Sequence, residues 1–359
     1  MQNQELAPRY EYLDLIRLLA ALFVLSLHFG FAMQHYRYGR VASLSYAEPL
    51  GRVAKYGLLG VDIFFVISGA VISISALSKL PNQFAISRFA RLFPSFILII
   101  PVAILVTRFL SADDKTPYAG KAGLRDLIFS LNLSNWIFGT PQVAEGATWT
   151  LWVEVRFYFL IFLVLSILRM MNKTLKVQTL ITLAYSWYFL SAIAQVSGFS
   201  LFQNLFISDY SSYFLVGISI AVIALNPKFK NSVYPLLFFS GISSVHELQI
   251  RLAGLSDLVG VCIFFIAVGA IRYSFSHRPK NLILKKILVI GGALSYPLYL
   301  VHDRVGGSLL AYFDLKFHNH MINMLYTVAI LFIPLILWVT KLEPKFRKSL
   351  IKKLASEWS

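Results

Sequence analysis

Ten times between residues 13 and 340 the sequence runs for roughly 20 residues with few or no charges, the length that crosses the hydrocarbon core of a bilayer. The runs are 13–33, 57–77, 92–110, 149–168, 178–198, 205–224, 233–250, 255–272, 287–306 and 321–340. This pattern predicts an all-α fold: a polytopic transmembrane helix bundle of about ten spans. The seventh run is the weakest, because Pro235 enters its start and His246 and Glu247 its end.

A soluble domain of 359 residues cannot bury a composition of 57% hydrophobic and 15% aromatic residues with a mean hydropathy of +0.68. We therefore read residues 1–359 as a single membrane-embedded domain, with 341–359 as a basic cytoplasmic tail. No repeat at a solenoid period and no shift in composition marks a separate soluble unit. Leu124, Ile128 and Leu131 recur at helical spacing beside Asp126 and Asn132, which predicts a helix lying in the interface. The single Cys262 excludes an internal disulfide and a CxxC metal site, so no metal is expected. Glu5 and Glu11 precede the first run and no small-x-small site follows it, so it is expected to remain as the first helix.

The net charge of +16 finds its explanation in topology rather than in nucleic-acid binding. Alternate loops carry 20 Lys and Arg on one side and 9 on the other, and the richer side is cytoplasmic. An even number of spans then places both termini in the cytosol and makes the chain a multi-pass protein of the plasma (inner) membrane. So basic a cytoplasmic face also suits an anionic ligand.

Ionisable residues at membrane depth are costly, and they usually face a protein interior or a wet cavity. His28 and His302 lie far along outward-running spans, whereas Asp62 and Glu154 lie early in inward-running ones. All four fall in the outer third of the bilayer, with Asp303 and Arg156 close by in sequence. Carboxylates and imidazoles at one depth suit general acid–base chemistry or a proton relay. Buried ion pairing of Asp62 or Glu154, for instance with Arg156, is the other reading. At the inner end stand Arg17, with Asp14 one turn before it, and Arg88 with Arg91, three apart on one helix face. Arginines so spaced form a fork suited to phosphate oxygens, and they also satisfy the positive-inside rule.

Five segments together resemble the integral-membrane acyltransferase 3 family of O-acyltransferases. They are the Arg17-to-His28 spacing, Gly60-Val-Asp-Ile-Phe-Phe-Val-Ile-Ser-Gly69, Arg88-Phe-Ala-Arg91-Leu-Phe-Pro94, Trp149-Thr-Leu-Trp-Val-Glu154 with Phe157-Tyr158, and Ser295-Tyr-Pro-Leu-Tyr-Leu-Val-His302. They occur in the family's order over nearly the whole chain. The chain departs from the pattern at Ala70, Trp152 and Val155-Arg156, which bears on the shape of an acceptor pocket. Larger members append a hydrolase-like extracytoplasmic domain where this chain has a basic tail, so no second transfer step on such a domain is expected.

The resemblance implies transfer of an acyl group, usually acetyl, from cytosolic acyl-CoA to a hydroxyl of an envelope carbohydrate or glycolipid. Arg17, Arg88 and Arg91 would hold the donor phosphates. The arm of coenzyme A, on the order of 15–20 Å, is comparable to the roughly 16 Å rise from Arg17 to His28. His28 is expected to be the general base, with a covalent acyl-His as a variant, and Asp62 or Glu154 to fix its tautomer as a triad acid does. Trp149, Tyr158, Tyr299 and His302 are expected at the acceptor, although aromatic residues also form interfacial belts. Ser68-Gly69 reads as a close-packing site, since no Gly-x-Ser-x-Gly elbow surrounds Ser68. A secondary transporter would also hold charges inside a bundle, but the chain shows no repeated halves with paired broken spans.

Overall fold

The structure is a computed structural model, and it describes residues 9–30, 53–110, 146–252, 257–317 and 319–357. Among these no strand occurs, and the order is α1 (Glu11–Leu27), α2 (Leu59–Ser78), α3 (Pro81–Leu110), α4 (Trp149–Met170), α5 (Val177–Ser197), α6 (Ser200–Phe206) and α7 (Ser211–Leu225). There follow α8 (Lys230–Arg251), α9 (Asp257–Ser276), α10 (Leu282–Val301), α11 (Gly307–Lys316), α12 (His320–Leu337) and α13 (Glu343–Glu357). Two π-turns, His302–Gly306 and Trp338–Leu342, join α10 to α11 and α12 to α13. The interfacial helix expected around 124–132 lies outside the described residues.

Nine helical segments among the described residues are long and apolar enough to cross a membrane. The expected tenth, α8, forms as a helix of 22 residues, about 33 Å long, but His246, Glu247 and Arg251 keep it less apolar than the others. Three expected boundaries shift. Helix α3 begins eleven residues before its expected apolar run, at Pro81, whose missing N–H suits the first turn. The run 205–224 divides at Ile207, whose positive φ of 56° ends α6. The run 287–306 ends its α-helix at Val301 and widens into the first π-turn.

Helices α2 and α7 form the centre of the bundle. Every residue of α7 from Ser211 to Val222 is buried, as is most of α2. Two glycines explain how close the pair comes: a Cβ on Gly69 would collide with the Phe214 carbonyl, and one on Gly217 with the Val66 carbonyl. In lipid, where water does not drive apolar helices together, such backbone proximity supplies the packing energy. Gly60 does the same where α2 crosses α1, beside Ala20 and Val24. Large apolar side chains such as Phe109, Val196 and Ile266 point outward, as a lipid-facing surface requires.

Candidate active site

Helix α1 carries a polar residue set at each of its ends, and the site is built along its length. At the far end His28, only a quarter exposed, places Nδ1 3.3 Å from Oδ1 of the buried Asp303. His302 stands beside it with its ring edge-on at 4.7 Å. The His302 Nδ1 in turn lies 2.6 Å from the Tyr299 carbonyl, and the Tyr299 hydroxyl accepts a hydrogen bond from Thr150 at 2.9 Å. The π-turn matters here. By adding a residue to the helical turn, it brings His302 and Asp303 of one segment against the single His28 of another.

Below this group lies a cavity of about 50 Å³, bordered by Arg17, Ser68, Arg91, Glu154, Tyr296 and Tyr299. That volume accommodates a few waters at most. Glu154 is its central acceptor: Ser68 donates to Oε1 at 2.8 Å, and the Tyr158 hydroxyl donates to the same oxygen.

At the near end Asp14 binds two guanidinium groups, Arg9 at 2.6 Å and Arg17 at 3.1 Å. Arg88 donates to Ser75 at 3.1 Å and lies over the rings of Phe84 and Tyr158. Helix α13 packs along α3 and brings Arg347 toward this group. Lys79, in the loop between α2 and α3, is held down to about 8, first by burial and then by the charges of Arg88 and Arg347. Among the described residues, no carboxylate within 4 Å neutralises Lys79, Arg88, Arg91 or Arg347. Glu154 and Glu343 lie near this group without touching it, so cations outnumber carboxylates here, which is the electrostatic form of an anion site.

Of the sequence-predicted residues, the fold brings His28 and His302 together, and it lines one cavity with Arg17, Arg91, Glu154 and Tyr299. Tyr158 joins them through Glu154. Asp62 is elsewhere: fully buried, it pairs with Arg251 at 2.7 Å, and that guanidinium also meets the Tyr213 hydroxyl and the Tyr210 ring. Trp149 packs on Tyr210 rather than on the histidines. Arg156 donates to Asn204 at 3.0 Å. The residue that sequence reasoning passed over is Asp303, whose only signal was its adjacency to His302. Among the described residues no group of three or more His, Cys, Asp or Glu is arranged to hold a metal.

The sequence as a whole has relatives among known proteins. The acyltransferase domain family matches residues 10–342. The chain belongs to the acyltransferase 3 family. As such it is a multi-pass membrane acyltransferase, and the matched span contains every site residue described above except Arg9 and Arg347. It is also similar to the peptidoglycan O-acetyltransferase OatA of Listeria monocytogenes serovar 1/2a, with 25% identity over 283 residues. That alignment covers 69% of this chain and 45% of the relative, so the chain spans less than half the length of the curated protein it matches. No solved structure matches it.

Proposed function

We propose that this acyltransferase moves an acyl group, acetyl in the simplest case, from acyl-CoA in the cytosol to a hydroxyl of a carbohydrate on the outer side of the plasma membrane. The observation that carries the reading is the distribution of charge along α1. An imidazole–carboxylate pair stands at one end of α1, and Arg17 lies roughly 16 Å back along the same helix, about one pantetheine length, beside a small cavity that Arg17 lines with Arg91, Glu154 and Tyr299.

Arg17, Arg88 and Arg91 would hold the phosphates of the donor by charge-assisted hydrogen bonds, and its arm would run past Glu154 and Tyr299 toward His28. Asp303, facing Nδ1 of His28, fixes the tautomer in which Nε2 is free to accept a proton, the part foreseen for Asp62 or Glu154. Nε2 takes the proton of the acceptor hydroxyl as its oxygen bonds to the thioester carbon. The tetrahedral adduct then breaks its C–S bond, and the imidazolium returns the proton to the departing thiolate. His302 and Tyr299 border the acceptor. The similarity to a peptidoglycan O-acetyltransferase favours an N-acetylhexosamine polymer as the acceptor class.

The test is acetyl transfer from acetyl-CoA to chitotetraose by the purified protein. His28→Ala should lower the rate by about 10²–10⁴, the usual loss for a general base, and Asp303→Asn should fall in the same range. Both variants should keep wild-type affinity for coenzyme A. Turnover near wild type in His28→Ala would sink the assignment.

A further inference from the structure

A second charged pair stands near His28 and has no part in the mechanism above. His320, the first residue of α12, is buried, Asp314 of α11 keeps only its side chain out of solvent, and His320 Nδ1 lies 2.8 Å from Asp314 Oδ2. On the other side of the ring, Nε2 faces the carbonyl oxygen of Phe29 at 3.4 Å. Asn323, almost one turn further along α12, donates to the second Asp314 oxygen at 2.8 Å and to the Phe317 carbonyl at 3.0 Å. Both ring nitrogens therefore point at acceptors, and an imidazole donates from both only as the imidazolium. A charged pair enclosed in this way is no better for stability than well-packed apolar residues, so its worth lies in the geometry it enforces.

That geometry concerns the residue next to His28. The Phe29 carbonyl belongs to the last turn of the first span, where carbonyls run out of donors within their own helix. The Phe29 ring is fully buried and fills the space left by Gly306, where a Cβ would stand 2.7 Å from Phe29 Cζ. Gly306 closes the π-turn that carries His302 and Asp303. Phe29 is thus held twice, by its ring to the turn bearing Asp303 and by its carbonyl to His320.

We propose that the His320–Asp314 pair is a positioning device for His28: by fixing the Phe29 carbonyl it sets the direction from which the His28 imidazole meets Asp303. The inference rests on the reading of His28 as the base. Displacing a reacting group by about 1 Å costs on the order of 10²-fold in rate, so a clamp one residue away is enough to matter.

The experiment compares His320→Leu and His320→Gln in the purified full-length protein. A glutamine amide reaches the place of Nε2 and donates to the Phe29 carbonyl, whereas leucine fills the space without donating. Acetyl transfer from acetyl-CoA to chitotetraose gives kcat and KM, and modification by diethyl pyrocarbonate, read by mass spectrometry at His28, reports the imidazole independently of turnover. His320→Leu should lower kcat by about 10–100-fold with KM for acetyl-CoA essentially unchanged. It should also change the His28 modification rate several-fold, and His320→Gln should restore both. Wild-type kcat in His320→Leu overturns the proposal, and so do equal losses in the two variants. If His320→Leu does not fold, Asp314→Ala leaves the imidazole and removes its anchor; it should show the same kcat loss, and normal turnover there overturns the proposal. If the wild type transfers nothing, the acyl-transfer reading fails by itself. In that case a His28 modification rate altered by leucine and restored by glutamine still sustains the clamp, and an unaltered rate ends it.

Discussion

His28 and Asp303 are neighbours at 3.3 Å although they stand near opposite ends of the chain, whereas Asp62, which shares their expected depth, is committed to Arg251. Depth follows from counting residues along a span; partnership follows from how each helix is rotated about its axis, and no local pattern states that. For this reason the sequence marks His28, His302 and Glu154 as polar residues enclosed in apolar runs but leaves their partners open. The pairing at Asp62 can be tested by removing it from both sides. Asp62→Leu leaves the Arg251 guanidinium without its carboxylate and should cost about 3–5 kcal/mol of stability. Asp62→Leu combined with Arg251→Leu should recover much of that loss, less what the Arg251 contacts with Tyr213 and Tyr210 contribute. Thermal melts in detergent read the stability, and acetyl transfer reads the chemistry. A double variant that is stable but inactive would return Asp62 to the catalytic group.

At the scale of elements, hydropathy foretold the helices because continuous apolar runs near 20 residues have one common structural solution in a bilayer. It foresaw the marginal apolarity of α8 but missed features that depend on single residues, the π-turn at His302–Gly306 and the break at Ile207. The crossing of α2 and α7 was partly legible, since Ser68-Gly69 reads as a packing site, but Gly217 on the other helix carried no such mark. Each glycine lies against a backbone carbonyl of the opposite helix, so a side chain at either position forces the helices apart. Gly217→Leu should therefore destabilise the bundle by about 1–3 kcal/mol or more, the cost of overpacking a fixed core. The same change at Gly241, where nothing lies within 4 Å of the added Cβ, should be near neutral. Equal melting temperatures for the two variants would show that the crossing is looser than the structure describes.

Across the whole molecule, four of the basic residues counted as topology in the sequence, Lys79, Arg88, Arg91 and Arg347, gather at one place in the fold. Lys79 gives this face a pH signature. Its ammonium, facing Arg88 and Arg347, is charged below a pKa of about 8 and neutral above it, and an anionic donor draws on the charged form. Affinity for coenzyme A should therefore fall as pH rises through 8, and Lys79→Met should flatten that part of the curve; titrations at about pH 7 and 9 decide the matter. The small cavity between the two ends of α1 has a consequence of another kind. A machine that lets a thioester on one face meet a hydroxyl on the other brings two aqueous phases within one helix length, across a voltage worth about 2.3 kcal/mol per elementary charge at 100 mV. About 50 Å³ of space bordered by Arg17, Arg91 and Glu154 holds a few waters at most, and its two guanidiniums disfavour the entry of a further cation. A donor arm entering there would displace those few waters and leave no wet path behind it, so acyl transfer and the cell's ion gradients would coexist.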